Sequence, residues 1–132
     1  MTVYEANYRK LEGILNIEDF LKHNTGFNLK LKSSGYMDLS VEILEKTSDY
    51  IRISMTHYGE QNGDLMADPD MEIKIYKEHQ TAEALSFQND YIGIYQVVYP
   101  EAGIVNLKLK KELNDFLGTW LNNLKIQGFK NI

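Results

Sequence analysis

The alternation of apolar and polar residues divides the chain into three parts. In the first part, apolar residues recur every three or four positions, which predicts an amphipathic helix from about residue 3 to 14. These residues are Tyr4, Tyr8, Leu11, Ile14 and Leu15. Asn16 is a suitable N-cap for a short second helical segment that ends by about residue 23.

From residue 27 onward the period of the pattern changes to two residues, which is typical of strands. The alternating segments are about 27–32, 37–43, 51–56 and 71–76, and two more strands are expected at 82–87 and 91–99. One-sided alternation predicts strands with one face on a core and one face in water. The connections are too short for the helical crossovers that parallel pairing requires, so the sheet should be antiparallel.

Helical spacing returns in the C-terminal segment. Its apolar residues are Leu109, Leu113, Phe116, Leu117, Trp120, Leu121 and Leu124, and Gly128 stands where a C-terminal cap belongs. This helix needs an apolar surface for Phe116 and Trp120, and the apolar face of the sheet provides one. The prediction is a single α+β domain over residues 1–132. It is a five- to six-stranded antiparallel β-meander with N- and C-terminal helices packed on one face.

Composition narrows the class of protein. The chain has 132 residues, 43% of them hydrophobic and 25% charged, as expected for one globular domain. It contains no cysteine, which excludes disulfides, thiolate metal sites and a cysteine nucleophile. No apolar run approaches the roughly 18 residues of a membrane span, and the first residues do not have the pattern of a signal peptide. We therefore expect a cytoplasmic protein that has no membrane partner.

Charge bears on the choice of partner. Nineteen acids and fourteen bases give a net charge of -5, which provides no general attraction to phosphate backbones. The one basic cluster, Lys108, Lys110 and Lys111, is expected to be a solvated helix face. The composition therefore argues against direct nucleic-acid binding.

The most informative segment lies between Arg52 and Lys74, because it contains acids and no basic residue. The acids are Glu60, Asp64, Asp68, Asp70 and Glu72. Asn62-Gly63 predicts a two-residue type I′ hairpin turn, and Pro69, which has no N–H to donate, predicts a bulged return strand. Uncompensated charge of this density opposes folding by self-repulsion, which indicates that it serves a partner.

The first interpretation of this hairpin is an interaction loop that contacts a basic groove on another protein. Parity places Tyr58 and Tyr76 on the outer face of the sheet, where tyrosines can bury a large area and keep a polar tip. The predicted partner-binding residues are Tyr58, Glu60, Asp64, Asp68, Asp70, Glu72 and Tyr76. Two structural alternatives remain open: a solvated hairpin that fixes strand register, and cross-strand aromatic pairing of the tyrosines.

The second interpretation is a divalent-metal site for a metal-dependent hydrolase. Its candidate ligands are His57, Glu60, Asp64 and Asp68, which offer the hard oxygens and the imidazole that suit Mg²⁺ or Mn²⁺. Their spacing matches no established metal-binding motif.

Other chemistry has weaker support in the sequence. Pro69-Asp70 and Glu72-x-Lys74 carry the letters of a restriction-type nuclease motif, but that motif divides its acids between two strands, and here they share one. No nucleophile–base–acid arrangement or phosphate-binding loop is present. A small-molecule binder would need a concave pocket between the helices and the sheet. The leading prediction is thus a non-enzymatic macromolecule-binding protein without a cofactor.

Two stretches of the chain are similar to those of a known family. They are the run from Tyr58 to Met71, and Ile92-Gly93-Ile94-Tyr95-Gln96 followed by Leu113-Asn114-Asp115-Phe116-Leu117 and Trp120-Leu121. Together they resemble a family of small uncharacterised proteins from Gram-positive bacteria, often carried on conjugative or phage-like mobile elements. Residues 71–76 with Ala82-Glu83 also distantly resemble an uncharacterised enterobacterial family.

Neither of these families has an assigned activity, so the resemblance implies no catalytic residue. What it implies is an accessory protein, such as an anti-defence factor that inhibits a host nucleic-acid-handling protein. We therefore expect a protein partner with a basic surface. A second copy of the chain is a further candidate partner.

Overall fold

The computed structural model describes residues 1–131 and places three helices and seven strands in them. In chain order the elements are α1 (Val3–Glu12), α2 (Ile17–Phe20), β1 (Asn28–Leu31), β2 (Leu39–Lys46), β3 (Ile51–Gln61), β4 (Asp64–Tyr76), β5 (Thr81–Ala84), β6 (Ser86–Asn89), β7 (Ile94–Val97) and α3 (Leu107–Ile126). No helix in this part of the chain is long and apolar enough to cross a lipid bilayer.

Local side-chain contacts fix the ends of the long helices. Thr2 and Glu5 form a reciprocal capping box at the start of α1, which ends two residues before the predicted position. Gly128 caps α3 as predicted, with a φ of 94°. The amide of Phe129 donates to the carbonyl of Leu124 at 3.0 Å, which is the bond of a Schellman motif.

The strands form one antiparallel sheet in the order of the chain, so the predicted meander is confirmed. β5 and β6 both pair with β4 and are separated at Leu85, whose amide donates to the carbonyl of Glu72 at 2.8 Å. This break divides the strand expected at 82–87, which raises the strand count to seven. β7 is shorter than the expected 91–99 because a turn precedes it, with Gly93 at a φ of 66°.

The helices cover one face of the sheet, and the core lies between these two layers. Leu39 and Val41 on β2 are both fully buried, as the alternation predicted. Trp120 on α3 is 7% exposed, and Leu117 and Leu121 pack with it in the same core. Each such side chain stabilises the fold by about 1.5–3 kcal/mol. The predicted α+β architecture is therefore confirmed, and we call the sheet face opposite the helices the outer face.

A buried polar residue joins the two layers. Asn114 on α3 accepts a hydrogen bond from the amide of Ala84 at 2.8 Å and donates one to the carbonyl of Lys110 at 2.8 Å. The backbone carbonyl of Asn114 accepts a hydrogen bond from the side-chain amide of Asn7 on α1 at 3.1 Å. The bond to the Asn114 side chain supplies a partner for the Ala84 amide just before the break at Leu85, where the strand pairing is interrupted.

Candidate functional site

β3 and β4 are longer than the strands beside them and extend past the sheet as a hairpin. β2 stops pairing with β3 at His57, whereas β3 and β4 remain paired up to the turn. The turn residues Asn62 and Gly63 have φ angles of 54° and 85°, which fit the predicted type I′ turn. We call residues 58–67 the hairpin arm.

The return strand is bulged beside Pro69, as predicted. Thr56 pairs with Asp70, but Tyr58 pairs with Ala67, so that one residue of β3 stands opposite two residues of β4. The bulge separates the predicted site residues into a group on the arm and a group on the outer face of the sheet.

His57 lies opposite the bulge and points into the core. Its ring is buried, 5.8 Å from the Trp120 ring in a T-shaped arrangement and 5.5 Å from the Phe129 ring. Its Nδ1 is 3.2 Å from the carbonyl oxygen of Asp38. His57 is therefore a packing residue that does not face the acids of the arm.

The predicted metal ligands are not brought together. In residues 1–131, no group of three or more His, Asp or Glu side chains is placed to hold a metal ion. His57 is in the core, whereas Glu60 and Asp64 are exposed on the arm. Asp68 is half-buried at the base of the arm and accepts a hydrogen bond from Asn89 Nδ2 at 2.8 Å. The bulge and the inward orientation of His57 thus separate the proposed Mg²⁺ or Mn²⁺ ligands.

The negative charge of Glu72 is neutralised by an ion pair within the chain. The expectation that all five acids of this segment are uncompensated is therefore wrong for Glu72. Arg52 Nη1 lies 2.6 Å from Glu72 Oε1, and Arg52 Nε lies 3.3 Å from Glu45 Oε1. The side chains of Arg52 and Glu72 are 31% and 32% exposed, so solvent screens this pair only partly. The ion pairs hold three charged side chains in place on the outer face.

Tyrosines hold a second cation on the same face. Lys74 Nζ lies 4.1 Å from the centre of the Tyr50 ring and 5.7 Å from that of Tyr76. The two rings are 5.9 Å apart, and Tyr50 Oη donates to Glu45 at 3.1 Å. The cross-strand aromatic pairing that was one alternative is therefore present, and it also orders the charged groups.

Asp70 differs from Glu72 because none of the ion pairs found in the described part of the chain includes it. Its Oδ1 is buried and has no hydrogen-bond partner there. Burial raises the pKa of the Asp70 carboxyl, a hydrogen bond with Thr56 opposes this, and the charges of Glu72, Asp90 and Glu42 raise the pKa further. Such a carboxylate destabilises the fold at neutral pH.

The turn between β6 and β7 fastens the base of the arm. Asp90 accepts hydrogen bonds from the Ala67 amide at 2.7 Å and from Gln88 Nε2 at 2.8 Å, and these bonds lower the pKa of Asp90. The hydroxyl of Tyr91 packs against Gly59, where an added Cβ would overlap it. The arm is thus attached to the body of the domain on one side.

Two adjoining cavities make the outer face concave beside β6 and β7, and we call them together the outer groove. The first, of about 470 Å³, has polar walls that include Asp70, Gln88 and Asp90. The second, of about 310 Å³, is lined by residues that include Tyr50, Arg52, Lys74 and Tyr99, and both share Glu72, Ser86 and Tyr95. The pocket expected for a small-molecule binder was between helices and sheet, whereas this groove lies on the opposite face.

A family model described as "Domain of unknown function (DUF6908)" matches residues 9–130. The chain belongs to this family. The expectation of an uncharacterised domain family is thereby confirmed, and both the hairpin arm and the outer groove lie within the matched DUF6908 domain. No curated protein and no solved structure matches the chain.

Six of the seven predicted binding residues of this DUF6908 domain fall into two groups of three. Tyr58, Glu60 and Asp64 are exposed on the arm, whereas Asp70, Glu72 and Tyr76 are half-buried on the outer face, with Asp68 between them. The hairpin lies where the turn and the charge pattern predicted it, and its binding role stays a prediction. The second group is less accessible than expected because neighbouring strands and side chains cover it.

Sequence reasoning identified only Asp70 and Glu72 among the groove residues, and those it missed include Glu45, Asp90 and Tyr95. A register shift between Ile43 and Glu45 interrupts the alternation of β2, so parity does not reveal that Glu45 faces Arg52. Tyr95 could have been found, because Tyr95 and Val97 share a parity along β7 and both line the groove.

Proposed function

We propose that this protein is a non-enzymatic binding protein that contacts another protein through its hairpin arm and the adjoining outer face. One observation carries the proposal. Glu60 and Asp64 are exposed at the end of a paired hairpin, and no ion pair within residues 1–131 includes either of them. These carboxylates are therefore available to a cationic partner.

The structure of the arm suits protein recognition. Its two strands are paired along their length and tied at the base through Asp90, so that little conformational entropy is lost when it binds. Leu65 is 67% exposed beside the acids, and Tyr58 is exposed on the same hairpin. Tyrosine is enriched at the energetic centres of interfaces, and polar groups are common at the rims around them.

Charge indicates the chemistry of the partner. The chain has a net charge of -5, and the acids of the arm have no base beside them in the sequence between Arg52 and Lys74. Complementary potentials steer association and select partners, so we expect a partner with a basic surface. A protein that handles nucleic acid in the cytoplasm has such a surface, because it must attract phosphate.

The biological role that we propose follows from the family resemblance together with this charge. The protein is an accessory factor of mobile elements in Gram-positive bacteria, and it acts as an anti-defence factor. Its acidic arm occupies the basic surface of a host nucleic-acid-handling protein and thereby inhibits it. The paired and stacked charges of the outer groove support binding rather than catalysis, since Arg52 and Lys74 are already engaged with Glu72 and Tyr50.

Capture from host lysate tests this function. The wild-type protein is compared with the arm variant Glu60→Gln/Asp64→Asn and with the control Asp49→Asn/Glu78→Gln. The control also removes two exposed carboxylates, but they lie in the loops before β3 and after β4, at the end of the hairpin that is far from the arm. Mass spectrometry of the retained proteins should show basic proteins held by the wild type and the control and lost from the arm variant.

Salt provides a second readout of the same experiment. Retention should decrease between about 0.05 M and about 0.5 M salt, because screening weakens attraction between exposed charges. Equal retention by the arm variant and the wild type would overturn the proposal, and so would a wild type that retains no basic protein.

A further inference from the structure

β7 forms an open edge of the sheet. It pairs with β6 on one side, and no other strand in the described part of the chain pairs with its second side. Ile94, Tyr95 and Gln96 on this strand are all exposed. Unpaired N–H and C=O groups at an exposed edge are a template for another strand.

The segment around β7 carries almost no charge. Glu101 is the only charged residue between Tyr91 and Leu107, in a chain of which 25% is charged. Charged side chains normally discourage edge-to-edge association. They are scarce within this segment, and the charged residues that line a cavity with Gln96 and Val97 of β7 are Lys108 and Glu112 of α3, which have opposite charges. The strand itself therefore carries no charge that opposes association at this edge.

The opposite edge of the sheet provides a comparison within the same molecule. β1 is also paired on one side, but it includes the exposed Lys30 and is followed by the exposed Lys32. Lysine on an edge strand opposes pairing with another chain. The difference between the two edges marks β7 as the one suited to association.

The apolar surface of this segment has the size of an interface. Its exposed large residues are Tyr91, Ile92, Ile94, Tyr95, Tyr99, Ile104, Val105 and Leu107, with exposed fractions from 36% to 71%. If a fully exposed large side chain offers about 200 Å², these fractions amount to at most about 800 Å², which is close to what each partner contributes to an interface of standard size.

We propose that two copies of the chain associate by antiparallel pairing of β7 with β7 about a two-fold axis, which joins their sheets into one. A strand that pairs with itself in this way makes an isologous, closed interface. Like charges opposite each other would destabilise such a pairing, and β7 carries none. The second copy is therefore the occupant that fits an edge strand without charged residues, although each chain has a net charge of -5.

A pair of lysine substitutions tests the dimer. Tyr95 on β7 is 66% exposed and Leu65 on the hairpin arm is 67% exposed, so Tyr95→Lys and Leu65→Lys introduce the same charge at equally exposed positions. Sedimentation velocity from about 1 µM to about 100 µM gives the dissociation constant of the dimer. Tyr95→Lys should raise this constant at least tenfold, whereas Leu65→Lys should leave it within about twofold of the wild-type value.

A second variant and a second measurement distinguish loss of the dimer from misfolding of Tyr95→Lys. Circular dichroism shows whether Tyr95→Lys is folded, and Ile92→Lys, in the exposed turn before β7, should weaken the dimer in the same way. Amides of β7 should exchange more slowly as the concentration of wild-type protein rises. A wild type that stays monomeric up to about 100 µM would overturn the proposal, as would a dimer that survives both Tyr95→Lys and Ile92→Lys.

Discussion

Replacement of Arg52 by Met tests whether ion pairs pre-order the outer face. Met retains most of the apolar stem of Arg52 and removes the guanidinium group. Glu45 and Glu72 then lose the cation that they share, and Glu72 remains close to the unpaired carboxylate of Asp70. The free energy of unfolding should therefore decrease.

The geometry of the pair sets the size of this effect. A fully exposed ion pair contributes about 0.2–1 kcal/mol, whereas breaking a fully buried pair costs about 3–5 kcal/mol. The side chains of Arg52 and Glu72 are about one-third exposed, and their closest atoms are 2.6 Å apart. We expect Arg52→Met to cost about 1–2 kcal/mol and the coupling energy between Arg52 and Glu72 to be about 1 kcal/mol.

Urea unfolding measures this coupling in a double-mutant cycle. The four proteins are the wild type, Arg52→Met, Glu72→Gln and the double variant, each followed by circular dichroism. The control cycle is Lys108→Met with Glu112→Gln, because that pair is 3.8 Å apart and its side chains are 87% and 55% exposed. A coupling for Arg52 and Glu72 no larger than that of the control would refute the reasoning.

Three further experiments address other parts of the account. Asp70→Asn should raise the melting temperature at pH 7, because it removes a carboxylate whose pKa is raised in the folded protein. This gain is complete above the raised pKa and disappears as the pH falls below the ordinary value of 3.8, so a gain independent of pH in thermal unfolding would contradict it. Asn114→Leu should lower the free energy of unfolding by about 1–3 kcal/mol in urea, because the buried amide of Ala84 loses its acceptor; unchanged stability would contradict this role. Calorimetric titration with Mg²⁺ or Mn²⁺ should show no stoichiometric heat, and one-to-one binding would restore the metal hypothesis.

The register of the central hairpin could be predicted from the sequence alone. A two-residue turn at Asn62 would place Arg52 opposite Ile73, with a polar side chain beside an apolar one on the same face. The apolar residues of both strands share a face only if a bulge places one extra residue of β4 opposite β3. Pro69 marks the position of this bulge. The structure accordingly pairs Arg52 with Lys74.

Other features could not be predicted because they depend on irregular positions in the sheet. The contact of Glu45 with Arg52 follows from the register shift in β2, which leaves no periodic signal. The break at Leu85 depends on its bond with Glu72, and the turn after β6 depends on the bonds between Asp90 and Ala67. Both sets of bonds join segments that are far apart in sequence. The ion pair between Arg52 and Glu72 depends on these irregular positions. A count of acids in the sequence therefore overestimates the number of unpaired carboxylates on the hairpin.

Hydrogen exchange of the protein, alone and with the basic protein that it retains most strongly from lysate, tests the central claim most directly. Amides of the hairpin arm, residues 58–67, should exchange more slowly in the complex, while the exchange rates of amides in α1 and α3 should be unchanged. Protection confined to the helices, with the arm exchanging as it does in the free protein, would contradict the account.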